Sequence, residues 1–352
     1  MSQNILDDPQ KIKEIDLTDM LGAVARFPDM LEAAMKIKPE GQLPHLDMLE
    51  SIVVVGMGGS AIGGDIVRMV MSDYPVFVVR NYNLPKYINK NSLIFVVSYS
   101  GNTEETLSVF GQASAKGLPI IAVTSGGKLK QLSQVLNIPV MTVPSGTQPR
   151  AALPYLLAPV LLVLEKYGII SNIRDALQES IGLLKNLREK YTGSVPLKKN
   201  LAKQIADKLK DKIPVVFSSV ESTEAAGLRF KDQLNENSKV TAVYDVFAEL
   251  NHNQIVNLGE LKKGQHHFSL LLLRDQGDHK RIQKRIDITR DLLKQSIADV
   301  FEIYSEGHSH LSRLLSLIYI GDYISVYLAI LRRFDPSPVK TIEALKKQLR
   351  GA

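Results

Sequence analysis

Cysteine is absent from all 352 residues. That removes disulfides, thiolate metal sites, Fe–S clusters and cysteine nucleophiles together, and it fits a cytoplasmic protein. Long apolar runs are missing too. The nearest, Leu314 to Leu331, is interrupted by Gly321 and Asp322. It falls short of the roughly 20 apolar residues that cross a bilayer and reads as a buried helix. The opening residues, Met-Ser-Gln-Asn-Ile-Leu-Asp-Asp, lack the basic-then-apolar order of a signal peptide. Basic residues exceed acidic ones by six but are dispersed, an excess that an anionic small ligand explains as well as nucleic acid does. Composition leaves both partners open.

What is present is ordinary globular material. Hydrophobic residues make up 45% and charged residues 23%, enough for two cores in a chain whose length suggests about two domains. Residues 1–45 place Leu17, Met20, Leu21, Val24, Phe27 and Leu31 near helical spacing. A regular alternation follows. Ser51–Val55, Val76–Val79, Leu93–Val97, Ile120–Val123 and Val140–Val143 are short continuous apolar runs, separated by helix-compatible stretches such as Ile62–Met71 and Glu104–Ala115. Such runs read as strands of a parallel sheet covered on both faces. After a helical zone over 153–207, strands are expected at Val215–Phe217, Val240–Val243, Phe268–Leu273 and Val300–Tyr304. Helices are expected at Ser222–Glu236, Leu311–Leu331 and Ile342–Leu349. The expected fold is α/β, two three-layer sandwiches in tandem with parallel sheets and flanking helices. Five sections are anticipated: an N-terminal helical segment 1–45, a first domain 46–152, connecting helices 153–207, a second domain 208–331 and a C-terminal tail 332–352.

Two loops carry chemistry. The first strand runs into Gly56-Met-Gly-Gly-Ser-Ala-Ile-Gly-Gly-Asp65, where glycines let the backbone approach a ligand and a helix N-terminus offers free N–H groups to an anion. A dinucleotide site would want an acidic residue about 20 positions on, but the second strand ends in Arg80-Asn81. No Gly-Lys-Ser/Thr follows to make a Walker A loop. Gly63 and Gly64 are expected to serve close helix–strand packing. The third strand ends in Ser98-Tyr-Ser-Gly-Asn-Thr-Glu-Glu-Thr106, crowding hydroxyls at the carboxyl end of a strand, where open α/β sheets bind ligands. Asn102 as N-cap with Glu105 in a capping box accounts for part of this loop but for neither Ser98 nor Ser100.

Those two loops resemble a sugar isomerase (SIS) domain, which binds phosphosugars. Gln148-Pro-Arg-Ala-Ala-Leu-Pro-Tyr155, Leu234-Asn-Glu-Asn-Ser-Lys239, Glu249-Leu-Asn-His-Asn253 and Asp335-Pro-Ser-Pro-Val-Lys-Thr-Ile-Glu-Ala-Leu-Lys346 narrow the resemblance to the bifunctional phosphoglucose/phosphomannose isomerase family, over about residues 40–352. The resemblance implies an enzyme interconverting aldose and ketose 6-phosphates through a cis-enediol(ate). It makes Glu236 the base that moves the proton between C1 and C2 and His252 the acid–base group of ring opening. Arg150 becomes the cation facing the enediolate, and Lys346 the second cation, with Lys340 as competitor. The phosphate would rest on Gly59, Ser60, Ser98, Ser100 and Thr103. The family's ring-opening hydroxyl falls on Val339 by direct counting, or on Ser337 if a short gap is allowed. No cofactor and no metal are implied, and the implied partner is a small-molecule hexose 6-phosphate, with no nucleic acid and no membrane. A homodimer with a shared active site is implied, His252 coming from the neighbouring subunit. A non-catalytic phosphosugar-binding module, or an SIS isomerase for another sugar phosphate, is the alternative. His308 and His310 are read as caps or local packing, and Tyr319, Tyr323 and Tyr327, at helical spacing, as core.

Overall fold

The computed structural model describes residues 4–71, 73–261, 267–297 and 299–349. Contacts group the chain into two compact units that interleave along the sequence. One comprises Arg26–Lys185 and Glu306–Ser316. The other comprises residues up to Ala25, Asn186–Ser305 and Leu317 onward. The first 25 residues thus group with the second half of the chain, an association that the linear sections 1–45 and 46–152 do not express.

The first unit is built on five parallel strands, β1 Ser51–Val55, β2 Val76–Val79, β3 Ser92–Val97, β4 Ile120–Thr124 and β5 Val140–Thr142, in the order β2-β1-β3-β4-β5. Every residue of β1, β3 and β4 is buried. A strand covered on both faces needs apolar side chains in both directions, hence Ile-Val-Val-Val and Leu-Ile-Phe-Val-Val. Helix Glu104–Ala115 sends Val109, Phe110 and Ala113 into the core shared with Val53, Ile94 and Val96. Helices Phe27–Ala34 and Gly59–Val70 both pack on Leu153–Lys166. A Cβ on Gly64 would stand 2.8 Å from Val54 Cβ and 3.1 Å from Val78 Cγ2, so the expected close packing applies there. On Gly63 the nearest atom would be Leu153 Cδ1 at 3.9 Å, an ordinary contact, so packing does not require that glycine.

The second unit carries four parallel strands, β6 Ile213–Ser219, β7 Val243–Phe247, β8 Phe268–Arg274 and β9 Asp299–Tyr304, in the order β7-β6-β8-β9. The strand expected at Val240–Val243 starts only at Val243. Val240 instead closes the turn after helix Glu224–Glu236: its N–H bonds the Leu234 carbonyl at 3.3 Å, and Asn235 Nδ2 donates to its carbonyl at 2.8 Å. Helices Lys280–Leu293 and Gln254–Gly259 are additional to the sequence reading. So is Gly127–Val135 in the first unit.

Helix His310–Leu331 is long and apolar enough to cross a membrane, yet its apolar stretch is buried within the fold. Tyr319, Tyr323 and Tyr327 are core residues, with ring centroids 5.0 and 5.9 Å apart in succession. Its one acid, Asp322, is gripped by Arg229: Nε to Oδ1 at 3.0 Å and Nη2 to Oδ2 at 2.7 Å. Gln233 donates to the same carboxylate at 2.9 Å. This buried fork joins helix Glu224–Glu236 to the long helix.

Candidate active site

An open parallel sheet binds ligands where its strand order reverses, outside the carboxyl ends. In the first sheet that point lies between β1 and β3, which pair directly, Val55 opposite Val96. Both chemistry-bearing loops leave the sheet there. After β1, Gly58 adopts φ +50° with ψ −126°, open only to glycine, and a Cβ there would meet nothing within 4 Å. The turn therefore delivers the N-terminus of helix Gly59–Val70, with half-buried Gly59 and Ser60, to open space. After β3, Ser98 is buried and its hydroxyl lies 3.0 Å from Thr103 Oγ1. Ser100 is exposed, and its hydroxyl accepts the Asn102 N–H at 3.3 Å.

Helix Glu104–Ala115 has Thr103 as its N-cap residue, without a side-chain capping bond. Asn102 is not the cap. Its Oδ1 accepts the Lys128 N–H at 3.1 Å and its Nδ2 donates to the Ser100 carbonyl at 3.0 Å. Asn102 therefore reaches across to Thr124-Ser-Gly-Gly-Lys128, a loop after β4 that sequence reasoning passed over. That loop braces the hydroxyl loop closely. Ser125 donates its N–H and its hydroxyl to the Tyr99 carbonyl at 3.0 and 2.6 Å, and the Leu129 N–H bonds the Gly101 carbonyl at 2.9 Å. A Cβ on Gly101 would fall 1.8 Å from the Gly126 carbonyl oxygen, and one on Gly127 would fall 2.4 Å from the Ser100 oxygen.

Arg150 belongs to the same unit. It sits, buried, in the 3-10 turn Pro149–Ala151, and its Cα would lie 3.4 Å from a Cβ on Gly59. Tyr99 links the approach to Arg150 with the hydroxyl loop: its OH donates to the Pro144 carbonyl and accepts the Thr147 N–H, both at 3.0 Å. Gly59, Ser60, Ser98, Ser100, Thr103 and Arg150 are thus organised by one sheet edge. Arg80, at the end of β2, pairs with buried Asp65.

The other residues singled out from sequence lie in the second unit. Glu236 is the last residue of helix Glu224–Glu236 and is half-buried. Behind it, Asn237 Nδ2 donates to Ser325 Oγ at 2.9 Å and Ser238 Oγ to the Ser325 carbonyl at 2.6 Å. His252 is exposed at the end of the 3-10 turn Glu249–His252. Its neighbours fasten it. Asn251 Nδ2 donates to Thr289 Oγ1 at 2.9 Å, and Asn253 caps helix Gln254–Gly259 through Gln254 N at 2.6 Å. Lys340 and Lys346 are both exposed on the terminal helix Lys340–Leu349, which buries no residue. Ser337 is buried with its hydroxyl turned to Thr18, while Val339 is half-buried.

His308 engages in local packing. Its backbone N–H donates to Glu179 at 2.6 Å, and Ser309 N and Ser312 Oγ donate to the same carboxylate at 3.0 and 2.7 Å. Burial pushes Glu179 up, but these donors together outweigh it and hold the carboxyl at about 2. Among the described residues, no group of three His, Asp or Glu side chains could hold a metal ion.

Residues 47–141 match the SIS domain, and residues 198–349 match the bacterial phospho-glucose isomerase C-terminal SIS domain. Two SIS domains, each on a parallel sheet, define the class. The chain is 44% identical over 334 residues to the bifunctional phosphoglucose/phosphomannose isomerase of Caldicellulosiruptor bescii, covering 94% of this chain and 98% of that one. It is 36% identical to the protein of that name from Aquifex aeolicus, over 86% and 91% of the two chains. A more distant relative, 26% identical over 87% of this chain and 91% of that one, is the D-glucosamine-6-phosphate 4-epimerase of Sulfolobus acidocaldarius. The crystal structure of a glucose-6-phosphate isomerase like protein from Thermus thermophilus, 16% identical, aligns over 99% of both chains with a TM-score of 0.67 and shares the fold. The chain belongs to the bifunctional phosphoglucose/phosphomannose isomerase family.

Proposed function

We infer that this protein is an aldose–ketose isomerase that interconverts glucose 6-phosphate and mannose 6-phosphate with fructose 6-phosphate. The observation that carries this reading is the 44% identity to a curated bifunctional isomerase over nearly the whole of both chains. The hydroxyl-lined crevice between β1 and β3 supports the phosphosugar part of it. The phosphate is taken by Gly59, Ser60, Ser98, Ser100 and Thr103, through hydroxyls and the amides of two helix N-termini, groups that complement an anion. Glu236 removes the proton from one of C1 and C2 and returns it to the other. Arg150 stabilises the negative charge that develops on the enediolate oxygen. Lys346, with Lys340 as the competing position, supplies the second cation. His252 moves the ring-opening proton. With Ser337 turned to Thr18, a hydroxyl for the ring-opening step is not expected from that residue. The isomerisation is redox-neutral, and we assign no cofactor. We further propose a homodimer with a shared active site, His252 being contributed by the neighbouring subunit, and action in the cytoplasm.

The test is product analysis by NMR after mixing the protein with fructose 6-phosphate in deuterium oxide. Glucose and mannose 6-phosphates carrying deuterium at C2 are expected. Glu236→Gln is expected to lower the rate at least 100-fold, the lower bound of a general-base contribution being about 10², while phosphosugar binding survives. Absence of any glucose or mannose 6-phosphate product with the wild-type protein would overturn the reading, and glucosamine 6-phosphate in parallel reports any epimerase activity.

A further inference from the structure

Lys239 is a lysine in the left-handed region, at φ +55°. That conformation costs a residue with a Cβ roughly 1–2 kcal/mol, and helix ends ordinarily give it to glycine. Its side chain is what a glycine would lack. The ammonium donates to the carbonyl of Glu236 at 2.5 Å and to the carbonyl of Pro336 at 3.0 Å. The first bond occupies a C-terminal carbonyl of the helix at the very residue read as the base. The second holds the segment that leads into helix Lys340–Leu349. That helix buries none of its residues, so its placement depends on its root, where Lys239 on Pro336 and Thr18 on Ser337 are among the side-chain ties.

We propose that Lys239 is a positioning residue: one ammonium fixes the helix end that presents Glu236 and the root of the tail that presents Lys346. The proposal rests on the reading of those two residues as working groups. Lys239 is not a catalytic residue. It acts through backbone carbonyls, and the arrangement predicts that its loss alters turnover rather than the grip on phosphate, which the first unit supplies. The segment is independently pinned, since Asn237 and Ser238 hold Ser325. Removing the ammonium should therefore loosen the tail without unfolding the turn.

The experiment compares Lys239→Gly, Lys239→Met and Lys239→Arg in the full chain. Glycine suits the backbone and removes the ammonium; methionine keeps much of the stem; arginine keeps donors. Readouts are kcat and KM for fructose 6-phosphate, melting temperature, and the rate of trypsin cleavage after Lys340 and Lys346. Lys239→Gly is expected to melt within about 2 °C of wild type. Its kcat should fall about 10-fold or more, since small misplacements of reacting groups are expensive, with little change in KM and faster cleavage of the tail. Lys239→Arg should restore most of the turnover. Wild-type kcat and wild-type cleavage in both Lys239→Gly and Lys239→Met would overturn the proposal. So would a loss that follows melting temperature alone and is not rescued by arginine. The cleavage rate separates the two failures: a wild-type protein with no isomerase activity sinks the functional reading, whereas unchanged tail cleavage in the variants sinks the positioning role.

Discussion

Gly101→Ala is the sharpest probe of how the hydroxyl loop is held. The native φ of +65° would place alanine in the left-handed region, and its Cβ would land 1.8 Å from the Gly126 carbonyl oxygen and 2.8 Å from Thr124 Oγ1. Conformational strain alone costs about 1 kcal/mol or more. The overlap is with backbone, so no side-chain rotation relieves it, and the two loops must separate by more than 1 Å to reach even the tightest normal contact of 3.0 Å. Separation on that scale breaks at least two of the bonds from Ser125 to Tyr99, Leu129 to Gly101 and Lys128 to Asn102. At about 0.5–1.5 kcal/mol each, with the strain, the total is about 2–5 kcal/mol. Calorimetry should show the melting temperature lowered by roughly 4–20 °C, taking about 2–4 °C per kcal/mol for a domain of this size. KM for the hexose phosphate should rise because Ser98, Ser100 and Thr103 ride on the displaced loop. Gly111→Ala is the matched control. It lies in helix Glu104–Ala115 with nothing within 4 Å of its Cβ, so the same chemical change should stabilise by about 0.5–1 kcal/mol. If Gly101→Ala keeps its melting temperature and KM, the close apposition of the two loops is not what orders the site.

Two further outcomes concern the scaffold. Asp322→Ala removes the carboxylate that the Arg229 guanidinium, only 2% exposed, grips, and should cost about 3–5 kcal/mol by urea denaturation, whereas replacing both partners with apolar residues should recover much of the loss; a cost under 1 kcal/mol would show that the fork is dispensable. Glu179 is held at about 2, below its ordinary 4.5; a depressed carboxyl stabilises the fold above its unfolded value and loses that contribution as pH falls from about 4.5 toward 2. The loss, on the order of 1–3 kcal/mol after allowing for solvent screening, should vanish from the pH–stability curve of Glu179→Gln, and an unchanged curve would refute the assignment.

The strands were legible because a strand buried on both faces has little choice of residue: Ile-Val-Val-Val or Leu-Leu-Leu-Leu can hardly be read otherwise. Where packing uses apolar residues for another purpose the same rule misleads. Val240 is buried where the chain turns at a helix end, and the true edge strand, Val-Tyr-Asp-Val-Phe, is half-buried with a charge in it. Helix Lys280–Leu293 escaped notice because it buries only Ile286, Thr289 and Leu293 beneath a mostly charged surface. In the candidate site the hydroxyl loops were readable from residue type. Their support was not: the hydroxyls of Thr124 and Ser125 are spent on the Gly126 and Tyr99 carbonyls, and only the approach of Gly126 to Gly101 reveals what the glycines are for. Lys239 is similar, since no sequence pattern says that a lysine takes a left-handed turn and spends its ammonium on two carbonyls.

The two sheets repeat one strand order, yet their crevices have opposite chemistry. Order β7-β6-β8-β9 reproduces β2-β1-β3-β4, so the second reversal lies between β6 and β8. There β6 runs into Val220-Glu-Ser-Thr223 with no glycine, Glu221 itself taking φ +71°, and β8 runs into Asp275 and Asp278, both buried. Their oxygens are engaged: Ser305 Oγ donates to Asp275 at 2.7 Å and Ser222 Oγ bonds Asp278. Burial pushes Asp278 up, against the Ser222 hydroxyl and the Asp275 N–H, which pull it down. A phosphate about 5 Å from one ionised carboxylate would meet roughly 3 kcal/mol of repulsion per unit charge at an effective dielectric of about 20, and the glycine of this turn, Gly277, gives its N–H to Asp275 at 2.7 Å. That repulsion disfavours an anion at the second crevice and accords with the phosphate site proposed at the first. The helix that follows β6 differs from its counterpart at the other end. Where Gly59–Val70 presents N–H groups at its start, Glu224–Glu236 presents a carboxylate side chain at its finish, and Lys239 occupies the carbonyl that the finish leaves open.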